Sequence, residues 1–91
     1  METYKILLID DDVDLGNLLC DFLSHHKIKL EIANSGEDGM ELLEQDQTSI
    51  NPSFDLIILD IMLPGISGLE VLKEIRKENN IPIIMLTASG E

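Results

Sequence analysis

Three strongly apolar runs, each ending at a polar residue, constrain the fold of this chain more than any other feature. The runs cover residues 5–9 before Asp10, residues 54–59 before Asp60, and residues 81–86 before Thr87. Such runs are typical of strands that are buried on both faces of a parallel sheet. Residues 28–33 instead alternate apolar and polar side chains, which predicts a half-exposed strand at a sheet edge.

Helical patterns separate these predicted strands. Leucines and one phenylalanine at spacings of three and four predict an amphipathic helix over residues 13–24. A second helix is predicted to begin at Ser35, whose hydroxyl can cap it, with Asp38 three residues further on. A third begins at Ser67, which forms a capping box with Glu70. The polar residues 45–53 include Pro52 and are interpreted as a loop without an active role.

The order of elements is βαβαβαβ, which predicts an α/β fold with a doubly wound parallel sheet and helices on both faces. Ligand sites in open sheets of this class lie at the carboxyl ends of the strands. The polar residues that end the three buried runs should therefore meet at one edge of the sheet.

Acidic residues follow the first strand and end the third. Asp10, Asp11 and Asp12 are consecutive, and Asp60 closes the third strand. Clustered carboxylates repel one another unless a cation or a proton offsets their charge, and oxygen ligands on a rigid edge suit Mg²⁺. We expect Asp12 to cap the first helix and Asp10 and Asp11 to face the metal. An EF-hand loop is the alternative reading, because Asp10, Asp12 and Asp14 would fall at its positions 1, 3 and 5. Position 6 of such a loop would hold Leu15, however, where glycine is needed.

The charge of the chain restricts its partners. Eighteen acidic and six basic residues give a net charge of −12, which repels nucleic acid and anionic membrane surfaces from this segment. A single cysteine, Cys20, excludes an intramolecular disulfide. No apolar run approaches the roughly 18 residues of a membrane span, and no signal peptide is visible, so a cytoplasmic location is expected.

Three segments carry a resemblance to a known family. They are Lys-Ile-Leu-Leu-Ile-Asp-Asp-Asp at residues 5–12, Asp-Leu-Ile-Ile-Leu-Asp-Ile-Met-Leu-Pro-Gly at 55–65 with Gly68 beyond it, and Pro-Ile-Ile-Met-Leu-Thr-Ala at 82–88. In order and spacing they closely resemble the receiver domain of bacterial two-component response regulators, most of all regulators with a winged-helix DNA-binding output domain. The resemblance covers the whole chain and implies a flavodoxin-like fold with strand order 2-1-3-4 here.

The resemblance implies a function in signal transduction. A sensor histidine kinase would transfer a phosphoryl group to the chain in a Mg²⁺-dependent reaction, and the resulting conformational switch would control an output, with transcription favoured. The implied residues are the phosphoacceptor Asp60, the switch residue Thr87, the backbone of Ala88 at the phosphoryl group, and Asp10, Asp11, Asp60 and the Met62 carbonyl at the metal. Such a protein is no enzyme beyond catalysing its own phosphorylation and dephosphorylation.

The resemblance also implies that residues 1–91 form the first three quarters of one receiver domain, without a second domain. Family members continue with a fourth helix, a fifth strand, a fifth helix, a switch aromatic residue and a phosphate-binding lysine. DNA would be bound through an output domain beyond this chain. The edge of the fourth strand, residues 83–86, is apolar and uncharged. We therefore expect the chain to self-associate through this edge.

Two other functions are alternatives to the receiver. A haloacid-dehalogenase-type phosphatase also places an Asp nucleophile after an apolar strand and uses Mg²⁺, but it needs a second Asp where this chain has Met62. A phosphate-independent interaction domain would have no Mg²⁺ affinity and no use for the pair Asp10 and Asp11.

Overall fold

A computed structural model describes residues 3–47 and 54–86 of the chain. The described elements are β1 (Tyr4–Ile9), α1 (Val13–Ser24), β2 (Ile28–Ala33), α2 (Gly36–Gln47), β3 (Leu56–Asp60), α3 (Gly68–Arg76) and β4 (Ile83–Leu86). The strands form one parallel sheet in the order β2-β1-β3-β4. The predicted α/β class, strand order and edge position of β2 are confirmed.

Strand register decides which helix covers which apolar side chains. In β1, Leu7 and Ile9 lie beside Ile57 and Leu59 of β3, and these four side chains form the core beneath α2 and α3. Leu8 points to the opposite face, where α1 packs against β2. Both faces of β1 are thus covered, which explains why its sequence is apolar without alternation.

The three helices begin where the sequence predicts. In each case a side-chain oxygen accepts a backbone N–H three residues later: Asp12 from Leu15 at 3.0 Å, Ser35 from Asp38 at 3.1 Å, and Ser67 from Glu70 at 3.3 Å. These bonds satisfy N–H groups that have no partner within the helix. Asp12 therefore has the capping role expected of it.

The prediction of a loop over residues 45–53 is wrong at its start. Helix α2 continues to Gln47, and residues 48–53 lie outside the described part of the chain. Asp46 is buried, and its carboxylate accepts hydrogen bonds from the Lys5 ammonium at 2.8 Å and from the Phe54 N–H at 3.0 Å. A buried acid with such partners stabilises the last turn of α2, and the polar composition gave no sign of it.

Two strand boundaries differ from the sequence prediction by two residues. β3 begins at Leu56 instead of residue 54, and β4 begins at Ile83 instead of residue 81. Pro82 lacks an N–H and contributes only its carbonyl, which accepts from Ile57 at 3.0 Å.

Among the helices of the described residues, none combines the length and apolar character needed to cross a bilayer.

Candidate functional site

The carboxylates of Asp10, Asp11 and Asp60 converge at the carboxyl ends of β1 and β3. The register pairs Ile9 with Leu59, so the next residue on each strand is an aspartate at the same edge of the sheet. One carboxylate oxygen from each of the three residues lies within 4.8 Å of the other two. Asp10 and Asp60 are only 5% and 6% exposed, whereas Asp11 is exposed to solvent.

A similar backbone turn holds each of the two buried carboxylates. Oδ1 of Asp10 accepts the N–H of Asp12 at 2.9 Å, and Oδ1 of Asp60 accepts the N–H of Met62 at 3.0 Å. Both bonds join a residue to the second residue after it, as in Asx turns. The two turns thus fix the orientation of both carboxylates.

The electrostatics of the cluster are unfavourable without a counter-charge. Burial raises the pKa of the Asp10 carboxyl above its ordinary value, and the negative charges of Asp60, Asp11 and Asp12 raise it further. The hydrogen bond from the Asp12 N–H opposes this shift because it favours the ionised carboxylate. A cation among the three carboxylates would offset both the cost of burying their charge and the repulsion between them.

The donor set fits a hard divalent cation. Three carboxylates from two neighbouring strand ends supply only oxygen ligands, which Mg²⁺ prefers over nitrogen or sulfur. The carboxylates border an open cavity of about 370 Å³, whose walls include Leu15, Met62 and Leu86. The cavity leaves room for water or a phosphoryl group beside the metal position.

The turn after β3 connects the site to α3. Gly65 has a φ of +76°, a conformation that glycine adopts without the penalty paid by other residues. Leu63 is buried in the core, and the N–H of Gly68 donates to the Ile61 carbonyl at 3.1 Å. The segment that follows Asp60 is therefore anchored by the buried Leu63 side chain and by the first residue of α3.

The sequence also predicts that Met62, Thr87 and Ala88 belong to the site. The Met62 side chain is 67% exposed, while its backbone belongs to the Asp60 turn. Thr87 and Ala88 lie outside the described residues. Lys5 lies at the opposite end of β1 and pairs with Asp46, so it cannot reach the carboxylates. Nothing in the sequence indicated that Leu15 and Leu86 line the cavity, although Leu86 directly precedes Thr87.

The structure also decides against the EF-hand reading. A strand precedes Asp10, Asp12 uses its side chain to cap α1, and Asp14 is already in the first turn of that helix. An EF-hand requires these residues to curve around one ion in a loop between two helices.

Comparisons with known proteins agree with this geometry. A family model described as response regulator receiver domain matches residues 6–91. Among curated proteins, the chain is 44% identical over 87 residues to a transcriptional regulatory protein, a CpxR homolog of Haemophilus influenzae, covering 96% of the chain and 35% of that protein. The chain thus spans about a third of the length of this relative. It matches regulators, and nothing in the comparisons supports the dehalogenase-type phosphatase.

Two of the solved structures with the same architecture are complexes with beryllofluoride. The receiver domain of RstA from Klebsiella pneumoniae, BeF₃-activated, superposes with a TM-score of 0.82 at 29% identity, covering 96% of the chain and 69% of that structure. The response regulator TrrA from Thermotoga maritima, in complex with Mg²⁺-BeF, gives 0.81 at 37% identity, covering 97% and 72%.

Proposed function

Because the chain belongs to the response regulator receiver domain family, we propose that it accepts a phosphoryl group from a sensor histidine kinase on Asp60. The observation that carries this proposal is the convergence of the Asp10, Asp11 and Asp60 carboxylates at one strand edge. Asp60 is the residue of the three that lies within a strand, as the last residue of β3, and the Met62 N–H orients its carboxylate.

The proposed reaction is a transfer between two side chains. A carboxylate oxygen of Asp60 forms a bond to phosphorus in line with the breaking bond between phosphorus and an imidazole nitrogen of the kinase. The imidazole leaves with the electron pair of that bond, and an acyl phosphate remains on Asp60. Charge on the phosphoryl oxygens must be offset during this transfer, since the site itself is negative.

Mg²⁺ would offset that charge when bound. The ligands proposed for it are the Asp11 and Asp60 side chains and the Met62 carbonyl, with Asp10 orienting a bound water. This chain contributes the arrangement of these oxygen atoms. Asp10 and Asp60 are held by their turns, while the exposed Asp11 can adjust to the ion.

Two residues outside the described part of the chain complete the proposal. The Thr87 hydroxyl would donate to a phosphoryl oxygen after transfer, and the backbone of Ala88 would approach the same group. Drawing Thr87 toward Asp60 would move the segment after β4, and this displacement would be the switch. Leu86, the last residue of β4, connects this segment to the residue after Asp60, because its carbonyl accepts the N–H of Ile61 at 3.0 Å.

The wider setting is part of the same proposal. We propose that residues 1–91 belong to one receiver domain that acts in the cytoplasm and catalyses only its own phosphorylation and dephosphorylation. The output would be transcription, with DNA bound by another domain and not by this acidic segment. Self-association through β4 is proposed because no strand pairs with its outer side in the described residues.

Phosphoryl incorporation from a small acyl phosphate tests the acceptor. The full-length protein should take up acid-labile phosphate with Mg²⁺, and Asp60→Asn should abolish the uptake. Asp14→Asn is the matched control, because Asp14 is an exposed acid near the site that does not line the carboxylate cluster. If label persists on the Asp60 variant, another residue is the phosphoacceptor, with Asp11 as the next candidate. Steady turnover of a generic phosphate ester would instead indicate a phosphatase.

A further inference from the structure

Gly68 is in unusually close contact with the backbone that carries Asp60. A Cβ atom at position 68 would overlap the carbonyl oxygen of Asp60, and it would lie 2.7 Å from Cα of Ile61 and 2.9 Å from the carbonyl carbon of Asp60. All three are backbone atoms, so no side chain can rotate away to make room. Only hydrogen fits at this position in the present arrangement.

The helix that begins at Gly68 has little freedom to retreat. Val71 and Ile75 on its inner face are buried in the core beneath the sheet. Ser67 caps the helix through the N–H of Glu70. Residues 60–62 are held as well, because the N–H of Ile61 donates to the Leu86 carbonyl at 3.0 Å, so a side chain at position 68 would have to shift both the start of α3 and this segment.

Displacement of this segment would change the site. The N–H of Met62 donates to Oδ1 of Asp60 at 3.0 Å, so the orientation of the carboxylate depends on where residue 62 lies. The N–H of Gly68 also donates to the Ile61 carbonyl at 3.1 Å. The start of α3 thus holds the middle of the turn whose two ends carry the Asp60 carboxylate and the Met62 carbonyl.

From these contacts we infer that Gly68 is a positioning residue, whose missing side chain lets the start of α3 set the Asp60 carboxylate and the Met62 carbonyl for metal binding. The inference rests on the proposed function, because it assigns these two groups to one Mg²⁺. It adds a residue that contacts neither the metal nor the phosphoryl group.

A Mg²⁺ titration of folded variants tests the inference. Gly68→Ala should weaken Mg²⁺ binding at least about tenfold, the size of effect expected when outer contacts of metal ligands are lost. Val71→Ala is the matched control, because it truncates a buried side chain of the same helix without entering the Asp60 turn. Its Mg²⁺ affinity should equal that of the unaltered protein. Equal affinity of Gly68→Ala and the unaltered protein, or equal weakening in both variants, would overturn the inference.

A second measurement uses the unaltered protein and does not depend on the folding of any variant. Addition of Mg²⁺ should shift the amide resonance of Gly68 and slow its hydrogen exchange, because this N–H bonds the Ile61 carbonyl within the turn. If the amide resonances of Asp11 and Asp60 shift and that of Gly68 does not, the start of α3 is not coupled to the metal site. If Mg²⁺ shifts none of these amides, the proposed metal site itself is wrong, which separates the two failures.

Discussion

The ammonium nitrogen of Lys5 lies 2.8 Å from a carboxylate oxygen of Asp46 and joins the first strand to the last turn of α2. The other oxygen of Asp46 accepts the N–H of Phe54, at the point where the chain enters β3. Lys5 also lies 3.5 Å from a carboxylate oxygen of Glu31 and 4.3 Å from the centre of the Phe54 ring. Residues of β1, β2 and α2 and the residue that leads into β3 thus meet at the end of the sheet opposite the carboxylate cluster.

Asp46→Asn should lower the free energy of unfolding by about 2 kcal/mol, because a partly buried lysine then loses its closest counter-charge. Urea denaturation of the two proteins measures this difference. Glu74→Gln is the control, since it breaks the exposed pair with Lys77 and should change stability by less than about 0.5 kcal/mol. Similar small losses in both variants would show that the Lys5 pair contributes no more than a surface pair.

The stabilisation by this pair should depend on pH in one direction. The hydrogen bond with Asp46 raises the pKa of Lys5 above its ordinary value of 10.5, although burial opposes the shift. A raised pKa in the folded state means that the stabilisation is complete below pH 10.5 and is lost as pH rises through the higher value. The stability difference between the unaltered protein and Asp46→Asn should therefore stay constant at neutral pH and shrink in strong alkali. A difference that grew there would contradict the assignment.

Asp11→Asn should remove most of the stabilisation that Mg²⁺ gives to the folded protein. Mass action predicts about 2.7 kcal/mol when free Mg²⁺ is ~100 times the Kd, because the unfolded chain has no assembled site. Thermal unfolding with and without Mg²⁺ measures the effect. Asp14→Asn, an exposed acid on α1, should keep it. An undiminished Mg²⁺ shift in the Asp11 variant would remove Asp11 from the site.

Asp10→Asn should make the metal-free protein more stable by about 1 kcal/mol, because it removes a buried charge that faces Asp11 and Asp60. The Asn side-chain oxygen can still accept the Asp12 N–H. Asp12→Asn serves as the control: Asn caps helices as well as Asp does, so stability should change little. A less stable Asp10→Asn protein would mean that the carboxylate has a favourable partner in the folded state.

Self-association should occur through β4, whose residues 83–86 carry no charge and whose Ile84 side chain is 51% exposed. Sedimentation at low micromolar concentration should detect dimers or larger species. Ile84→Lys should weaken the association about tenfold, because an edge lysine opposes strand pairing. Leu69→Lys changes an equally exposed apolar side chain on α3 and should have no effect. A clean monomer in the unaltered protein would refute the proposal.

Local features of the sequence were enough to predict most of the framework. Continuous apolar runs and helical spacings are patterns within a few residues, and the caps at Asp12, Ser35 and Ser67 each involve a partner only three residues away. The predicted order of elements then implied a parallel sheet, and a parallel sheet brings Asp10 and Asp60 to one edge. The position of the acidic cluster therefore followed from the sequence alone.

Only the tertiary structure decided the contacts between residues that are distant in the chain. The partner of Lys5 is 41 residues away, in a segment whose polar composition predicted a loop. The fit of Gly68 against Asp60, and the burial that raises the pKa of Asp10, depend on how closely α3 and the strands pack. Packing distances of a few tenths of an ångström carry no signature in residue type or spacing, because many sequences share the same pattern and differ in how their elements pack together.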